Sequence, residues 1–469
     1  MIHFGTGGWR AIIGDEFTKQ NIQILAKALS NMMKEQKVSD DGIIIGYDRR
    51  FLAKEAMRWL AEVFAYEGIK TSLVNKSCPT PVIMYLVQKQ NRHYGLMVTA
   101  SHNPAIYNGV KVFIKDGKDA DIETTNEIEK YIAKIETPVN YLDYQEGIDK
   151  GLIEEIYPIN EYIDFVLENI DSQAIRKANL RIVLDPMYGV SETAIKTIMI
   201  VCRCEIETIH GGHDTLFGGH MPAPDAFFMK ELAAYVVTNS FDIGIATDGD
   251  ADRIGIIDDT GRYLSANDIL LLLYWYLIKY KNMSGPIVRN LCTSHVLDVL
   301  AQKLGYEAYE VPVGFKWITA KMQETGAIIG GESSGGMAIA GKVKGKDGVY
   351  AASLLVEMMA KTGKKISQIY DELIEMCGKT YLLERNYTFK KELKEKLIKH
   401  LMIDKNLPDF PYEIDHISYM DGLKVYFKNK AWICVRFSGT EPLLRIFAEA
   451  YDEQIVEDLC NIFKDYLNL

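Results

Sequence analysis

The chain has 469 residues, of which 48% are apolar, 25% charged and 10% aromatic; this is the balance of a soluble globular protein of three or four domains, and it excludes a minimal binding module or a disordered chain. Lys and Arg total 53 against 64 Asp and Glu, a net charge of −11, which argues against nucleic acid or an anionic membrane as partner, because both are bound through basic surface. An acidic protein that handles anionic substrates has to gather its cations locally.

The opening MIHFGTGGWR has neither the basic nor the apolar block of a secretion signal. Cys78, Cys202, Cys204, Cys292, Cys377, Cys434 and Cys460 are scattered, without a CxxC pair or zinc-ligand spacing. They read as buried thiols in a reducing compartment. The longest apolar run, 269–278, is too short to span a bilayer and predicts a buried helix. The expected location is cytoplasmic.

Further along the chain, one order of elements occurs three times. Residues 42–46 (GIIIG) predict a strand, followed by the polar turn 47–50 (YDRR), a helix over 53–67 and a strand at 70–74. The same order returns as 180–184 (LRIVL), turn 185–189, a helix from about 192 and a strand near 204–209. It returns again as 286–289, turn 290–294, helix 295–304 and strand 307–311. Strand-rich runs alternating with helical patterns imply βαβ units and largely parallel sheets.

Each unit then reaches a polar loop between two apolar strands: TASHNP at 99–104, TDGDADR at 247–253 and GGESSGG at 330–336. One loop at a matching place in each unit predicts a shared cleft. From about 381 the pattern changes to strands near 422–427, 431–437 and 444–449 and a C-terminal helix, a smaller α+β domain whose loop RFSGTEP joins the cleft. The expected domains are 1–155, 156–265, 266–378 and 379–469. The charged stretch 390–400 reads as a solvated amphipathic helix.

Asp248, Asp250 and Asp252 alternate, so a tight loop can aim three carboxylates at one point, and hard oxygen ligands indicate Mg²⁺, Mn²⁺ or Ca²⁺. An EF-hand is excluded by Arg253 at its sixth position and Asp259 at its twelfth. A serine has little affinity for metal, whereas a phosphoserine brings charge and three acceptor oxygens, which makes Ser101 a companion for the triad; the same Ser-Asn-Pro composition also describes an ordinary turn. Arg436, Ser438, Gly439, Thr440 and Arg445 suit a non-reacting phosphate. Glu332, Ser333 and Ser334 offer acceptors for sugar hydroxyls. His210, His213 and His220 lie in an irregular connection that sets no two on one helical face, so a metal role is not expected of them.

Together these loops resemble the α-D-phosphohexomutase family, the phosphoglucomutases and phosphomannomutases, over essentially the whole chain. Phe4 to Arg10 resembles the family's N-terminal signature, Thr99 to Pro104 its phosphoserine loop, Asp248 to Arg253 its metal loop, Gly331 to Gly335 its sugar loop and Arg436 to Arg445 its phosphate loop. The resemblance implies four domains in a heart shape: three similar mixed α/β domains and a smaller C-terminal α+β domain. It implies that Ser101 carries a phosphoryl group beside Mg²⁺ held by Asp248, Asp250 and Asp252. A sugar monophosphate would rest its phosphate on Arg436, Ser438, Gly439, Thr440 and Arg445 and its hydroxyls on Glu332 and Ser334. It would pass through a bisphosphate, for which glucose 1,6-bisphosphate would serve as activator.

Arg10 and Lys111 would compensate charge, and His102 and Lys111 are the two candidates for the proton acceptor. Lys316 and Arg253 would face the substrate. Many bacterial relatives with glucose and mannose or glucosamine activity have a His directly after the sugar loop, where this chain has Gly336. With Lys346-Asp347-Gly348 following, the pattern is closer to phosphoglucomutase-like members and favours glucose phosphates, with mannose or glucosamine phosphate as alternatives. A metal-dependent sugar phosphatase and a non-catalytic sugar-phosphate binder are the other classes considered. The expected partners are small sugar phosphates, without nucleic acid or membrane, on a monomer or dimer whose fourth domain hinges near Gly378.

Overall fold

A computed structural model describes residues 2–5, 7–437 and 443–468. Its first three sheets share one arrangement. In the first, Thr71–Val74, Ile43–Tyr47 and Tyr94–Val98 run parallel and Tyr107–Ile114 returns antiparallel. In the second, Glu205–Thr208, Arg181–Asp185 and Ile243–Thr247 are parallel and Ile254–Asp258 is antiparallel. In the third the corresponding strands are Ala308–Val311, Ile287–Asn290, Ile329–Gly331 and Met337–Ile339.

The anticipated strand, turn, helix and strand order is therefore present three times, and each polar loop joins the last two strands. Those connections are too short for a crossover, so the loop-bearing pair closes as an antiparallel hairpin and the parallel part ends one strand earlier. The central parallel strands Ile43–Tyr47, Tyr94–Val98 and Ile243–Thr247 are mostly apolar and buried along their whole lengths because both faces are covered.

In the first unit the sheet extends to eight strands and takes in Phe4–Gly5, Gly8–Ile12, Lys118–Asp119 and Ile153–Ile156. Gly8–Ile12 pairs with Tyr107–Ile114, which sets Arg10 opposite Gly109, two residues from Lys111. Glycine is required there: a Cβ at 109 would lie 2.1 Å from the Trp9 carbonyl oxygen. The apolar run at 269–278 falls in the helix Ala266–Lys279, which is capped by Ser265 and Asp268 and packed into the largest hydrophobic core. All seven cysteines are buried and free. Among the described residues, no helix is long and apolar enough to cross a membrane.

The fourth unit is an antiparallel sheet in the order Tyr381–Thr388, Leu443–Ala450, Trp432–Phe437, Leu423–Phe427, Ile414–Ser418, covered by the helix Glu453–Leu467. No position of its first and last strands is fully buried, and both carry charged residues, which is why no apolar alternation marks them in the sequence. The stretch at 390–400 is not one regular helix. It runs through a 3-10 turn, the short helix Lys394–Ile398 and a π-helical turn at Lys399–Ile403, since its charged residues bury too little to hold a single helix.

Buried charges join the third and fourth units. Lys424 Nζ donates to Leu291 O at 2.6 Å and to Glu310 at 2.8 Å, and lies 4.0 Å from the centre of the Trp432 ring. Glu449 accepts from the Ser294 and Thr380 hydroxyls, the His295 amide and the Trp432 indole. Burial, reinforced by Arg289, depresses His295 to about 4 from the usual 6.5, although Glu310 pulls the other way. As the pH falls below about 6.5, the unfolded chain takes up a proton that folded His295 refuses until about 4. Stability should therefore drop across that window. Thermal unfolding against pH should show the decline, and His295→Asn should flatten it; an unchanged slope would remove His295 as the cause.

Candidate active site

The loops at 99–106 and 248–253 meet across the boundary between the first and second units. Ser101 is fully buried, and its Oγ donates to Asp248 Oδ2 at 2.6 Å. The carboxylates of Asp248, Asp250 and Asp252 offer ligand atoms within 4.8 Å of one another and form the one such acidic, His or Cys group among the described residues. Thr80 Oγ1 holds Asp250 Oδ2 at 2.5 Å, and Lys111 Nζ bonds both Asp250, at 2.6 Å, and Asp252. Asp250 Oδ1 and Asp252 Oδ1 are buried without hydrogen-bond partners.

Burial and then the charges of Asp250 and Asp252 push Asp248 up to about 8. Lys111 responds in the opposite sense. Burial works against its charge, but Asp250 and Asp252 outweigh burial and hold the ammonium protonated. Three crowded carboxylates with two orphaned oxygens fit a hard divalent cation.

The remaining cleft is strongly cationic. Arg10 Nη1 donates to Asn103 Oδ1 at 3.0 Å, and Arg253 Nε stands 4.0 Å from Asp248 and 3.9 Å from Asp252. The Nε atoms of both arginines are buried and have no hydrogen-bond partner. His102 Nδ1 is 3.5 Å from Ser101 Oγ; burial, then Arg253 and Arg10, hold its pKa well below the usual 6.5.

The loop at 248–253 is tied to the third unit through its backbone, by Ile254 N to Gly335 O at 3.3 Å and Gly348 N to Ala251 O at 3.2 Å. Arg253 adds a bond to Ser334 O at 3.2 Å. Glu332 is buried, and its Oε1 accepts from the Gly314 amide at 2.9 Å and from Asn290 Nδ2 at 3.3 Å. Ser334 is exposed. Lys316 sits in the first turn of the helix Phe315–Thr325, partly buried, with Asp121 and Asp119 as its acidic neighbours.

On the fourth unit, Arg436 and Arg445 are cross-strand partners. Arg436 Nη2 pairs with Asp421 at 2.8 Å, and the same carboxylate oxygen accepts from Val313 N of the third unit at 2.9 Å. Ser438, Gly439 and Thr440, expected to complete this phosphate site, lie outside the described residues, as does Thr6.

Sequence reasoning assigns no role to Lys346, Thr80 or Asn290. Lys346 is buried, with Nζ 2.8 Å from Asp252 Oδ2. A Cβ at Gly336 would lie 2.2 Å from Lys346 Cδ, so the lysine fills the space that a side chain at 336 would need. The signal in the sequence is the absence of a side chain at 336 together with a lysine ten positions on. The three histidines take separate partners. His210 bonds Asp185, His213 bonds the Arg49 carbonyl, and His220 packs beside Phe228.

A buried serine beside three carboxylates and flanked by arginines, assembled from loops of successive α/β units, has the donor set that phosphoryl transfer calls for. Comparison with known proteins agrees with that class. Models of the phosphoglucomutase/phosphomannomutase family match all four units: α/β/α domain I at 1–139, domain II at 160–261, domain III at 265–377 and the C-terminal domain at 398–465. The phosphoglucosamine/phosphogalactosamine mutase of Sulfurisphaera tokodaii is 30% identical, with 98% of each chain covered. The phosphoglucomutase/phosphomannomutase of Thermococcus kodakarensis is 27% identical over 96% of this chain and 95% of its own. A Thermus thermophilus structure described as a phosphomannomutase superposes with a TM-score of 0.85 at 27% identity, covering 100% of this chain and 99% of that one. The chain belongs to the α-D-phosphohexomutase family, the isomerases that include the phosphoglucomutases and phosphomannomutases, and it has their four-domain, heart-shaped architecture.

Proposed function

We propose that the protein interconverts hexose 1-phosphate and hexose 6-phosphate, glucose preferred, through a phosphoryl group carried on Ser101 and a sugar 1,6-bisphosphate intermediate. The observation that carries this reading is the buried Ser101 Oγ, 2.6 Å from one carboxylate of the triad. Asp248, Asp250 and Asp252, with phosphorylated Ser101, would hold Mg²⁺, which when bound neutralises charge and polarises the phosphoryl oxygens. Arg10, Arg253 and Lys346 surround the position where the transferred group must pass, and they offset its negative charge without reorganisation.

Glu332, fixed by Gly314 N and Asn290, anchors the sugar ring. Arg436 and Arg445, with Ser438, Gly439 and Thr440, grip the phosphate that does not react. Glu332 and Ser334 can accept the same contacts from either end of the sugar, which lets a bisphosphate turn over and return its other phosphate to Ser101. Of the two candidate bases, His102 has Nδ1 3.5 Å from Ser101 Oγ and is the proton acceptor, while Lys111 is engaged by two carboxylates and compensates charge.

The preference for glucose rests on Gly336 and on the lysine that occupies its space. The names of the relatives from Sulfurisphaera tokodaii and Thermococcus kodakarensis favour a second reading, amino-sugar or mannose phosphates on the same machinery. The deciding assay supplies Mg²⁺ and a trace of glucose 1,6-bisphosphate and follows glucose 1-phosphate, mannose 1-phosphate and glucosamine 1-phosphate in parallel. Glucose 1-phosphate should turn over fastest, and EDTA should abolish the reaction. If another sugar wins, the preference falls and the mechanism stands. Release of inorganic phosphate at the rate of substrate loss would replace the mutase with a phosphatase.

A further inference from the structure

In the sequence the turn Tyr47–Arg50 reads only as a polar connection, and the chemistry above does not use it. The strand Ile43–Tyr47 lies parallel to Tyr94–Val98 with Tyr47 opposite Val98, so the two chain segments that leave these strands emerge side by side. One segment is the Asp48–Arg50 turn and the other is the loop that carries Ser101. The Asp48 amide bonds Val98 O at 3.1 Å, and this fixes their relation.

Arg50 is 3% exposed, and its guanidinium is spent on the reactive loop. Nη2 donates to Ser101 O and to Asn103 O, each at 2.6 Å. Nη1 donates to Pro104 O and to Tyr107 O, each at 2.9 Å. Four carbonyls are thereby drawn to one planar cation. Asp48, 1% exposed, stands 3.5 Å from Arg50 Nε and accepts from Thr99 Oγ1 at 2.6 Å. Thr99 Oγ1 in turn accepts the Ser101 amide at 2.8 Å. Ser101 itself holds a left-handed φ of 53°, a conformation that costs a serine energy and persists only where its surroundings impose it.

The neighbouring arginine faces the other way. Arg49 Nη1 donates to Gly211 O at 2.8 Å and Gly212 O at 3.1 Å, and its carbonyl meets His213 Nε2 at 3.1 Å. Phe217, from the same segment of the second unit, lies with its ring 4.8 Å from Arg50 Cζ. The histidine-rich stretch thus serves as a backing for this turn.

We propose that Asp48, Arg49 and Arg50 form a clasp that positions Ser101: Arg50 and Asp48 hold the serine in its left-handed conformation, while Arg49 ties the same turn to the unit that carries Asp248, so that Ser101 Oγ stays aimed at the triad. Arg50 spends its Nη1 and Nη2 donors on backbone carbonyls and acts through the loop backbone. A lysine in its place has one nitrogen and cannot span four carbonyls. The consequence for the reaction rests on the phosphoserine reading; the consequence for the loop does not.

The test compares wild type with Arg50→Lys and the nearly isosteric Asp48→Asn, each first shown folded by its thermal transition. Arg50→Lys should lower kcat about 100-fold, the scale of a misplaced reacting group, with KM for glucose 1-phosphate changed by less than about threefold. Uptake of phosphate on Ser101 from glucose 1,6-bisphosphate, followed by intact mass in a single turnover, should slow by a similar factor. Amide exchange over 99–107 should quicken by about tenfold or more while the rest of the first unit is unchanged. If Arg50→Lys does not fold, Asp48→Asn and Phe217→Leu carry the same measurements. Exchange at the wild-type rate together with phosphate uptake at the wild-type rate overturns the clasp. Loss of binding in step with kcat also overturns it, because a positioning role leaves KM in place. Faster exchange in a protein whose wild type takes up no phosphate keeps the clasp and sinks the phosphoserine reading instead.

Discussion

Replacing Ser101 with Ala should lower kcat by on the order of 10⁴-fold or more, while sugar phosphate binding stays within a few-fold of wild type. The serine Oγ sits at 2.6 Å from Asp248 in a fully buried position, and among the described residues no other hydroxyl donates to that carboxylate. Arg436 and Arg445, which we propose grip the phosphate that does not react, lie on the fourth unit and are untouched by the change. The check is steady-state turnover beside calorimetric binding of glucose 6-phosphate. Substantial residual activity in the alanine variant would refute a phosphoryl carrier at 101. Weakened binding with intact kcat would make Ser101 a substrate contact instead.

Lys111→Met should act first on stability. Lys111 is buried, with its ammonium shared between Asp250 and Asp252, and methionine keeps the volume while removing the charge. Taking one partner from a buried ion cluster destabilises by about 3–5 kcal/mol, because the remaining charges are left uncompensated. A divalent cation at the triad would supply the missing positive charge, so Mg²⁺ should raise the melting temperature of the variant by more than that of the wild type. Melting curves with Mg²⁺ and with EDTA test both statements. Equal Mg²⁺ stabilisation of the two proteins would separate the cation site from Lys111 and its carboxylates. Activity of the variant should remain low even when it is saturated with metal.

The repeat of strand, turn, helix and strand is legible because it is written in apolar runs with Gly and Asp at their ends, and the three polar loops stand out between buried strands. The aspartate triad is legible for the same reason: its spacing is local. What escapes is whatever depends on approach between distant segments. Arg50 reaches the loop at 101–107 only because two parallel strands end together. Lys346 reaches Asp252 only because the third unit docks on the second. The outer strands of the fourth unit are hidden because neither has a fully buried position and both mix polar with apolar side chains, so the pattern that marks a core strand is absent. Ser438 to Thr440 are named from sequence and lie outside the described residues.

The contact between Gly336 and Lys346 bears on how far loops of this kind can be exchanged. The loop at 332–336 looks like a self-contained cassette, yet the room beside it is occupied by a side chain from another stretch of the chain. A graft that brings in any larger residue at 336 would drive its Cβ into Lys346 and push that ammonium off Asp252. The two positions therefore form one steric unit, separated in sequence and joined in space, and a swap that preserves the site has to carry both.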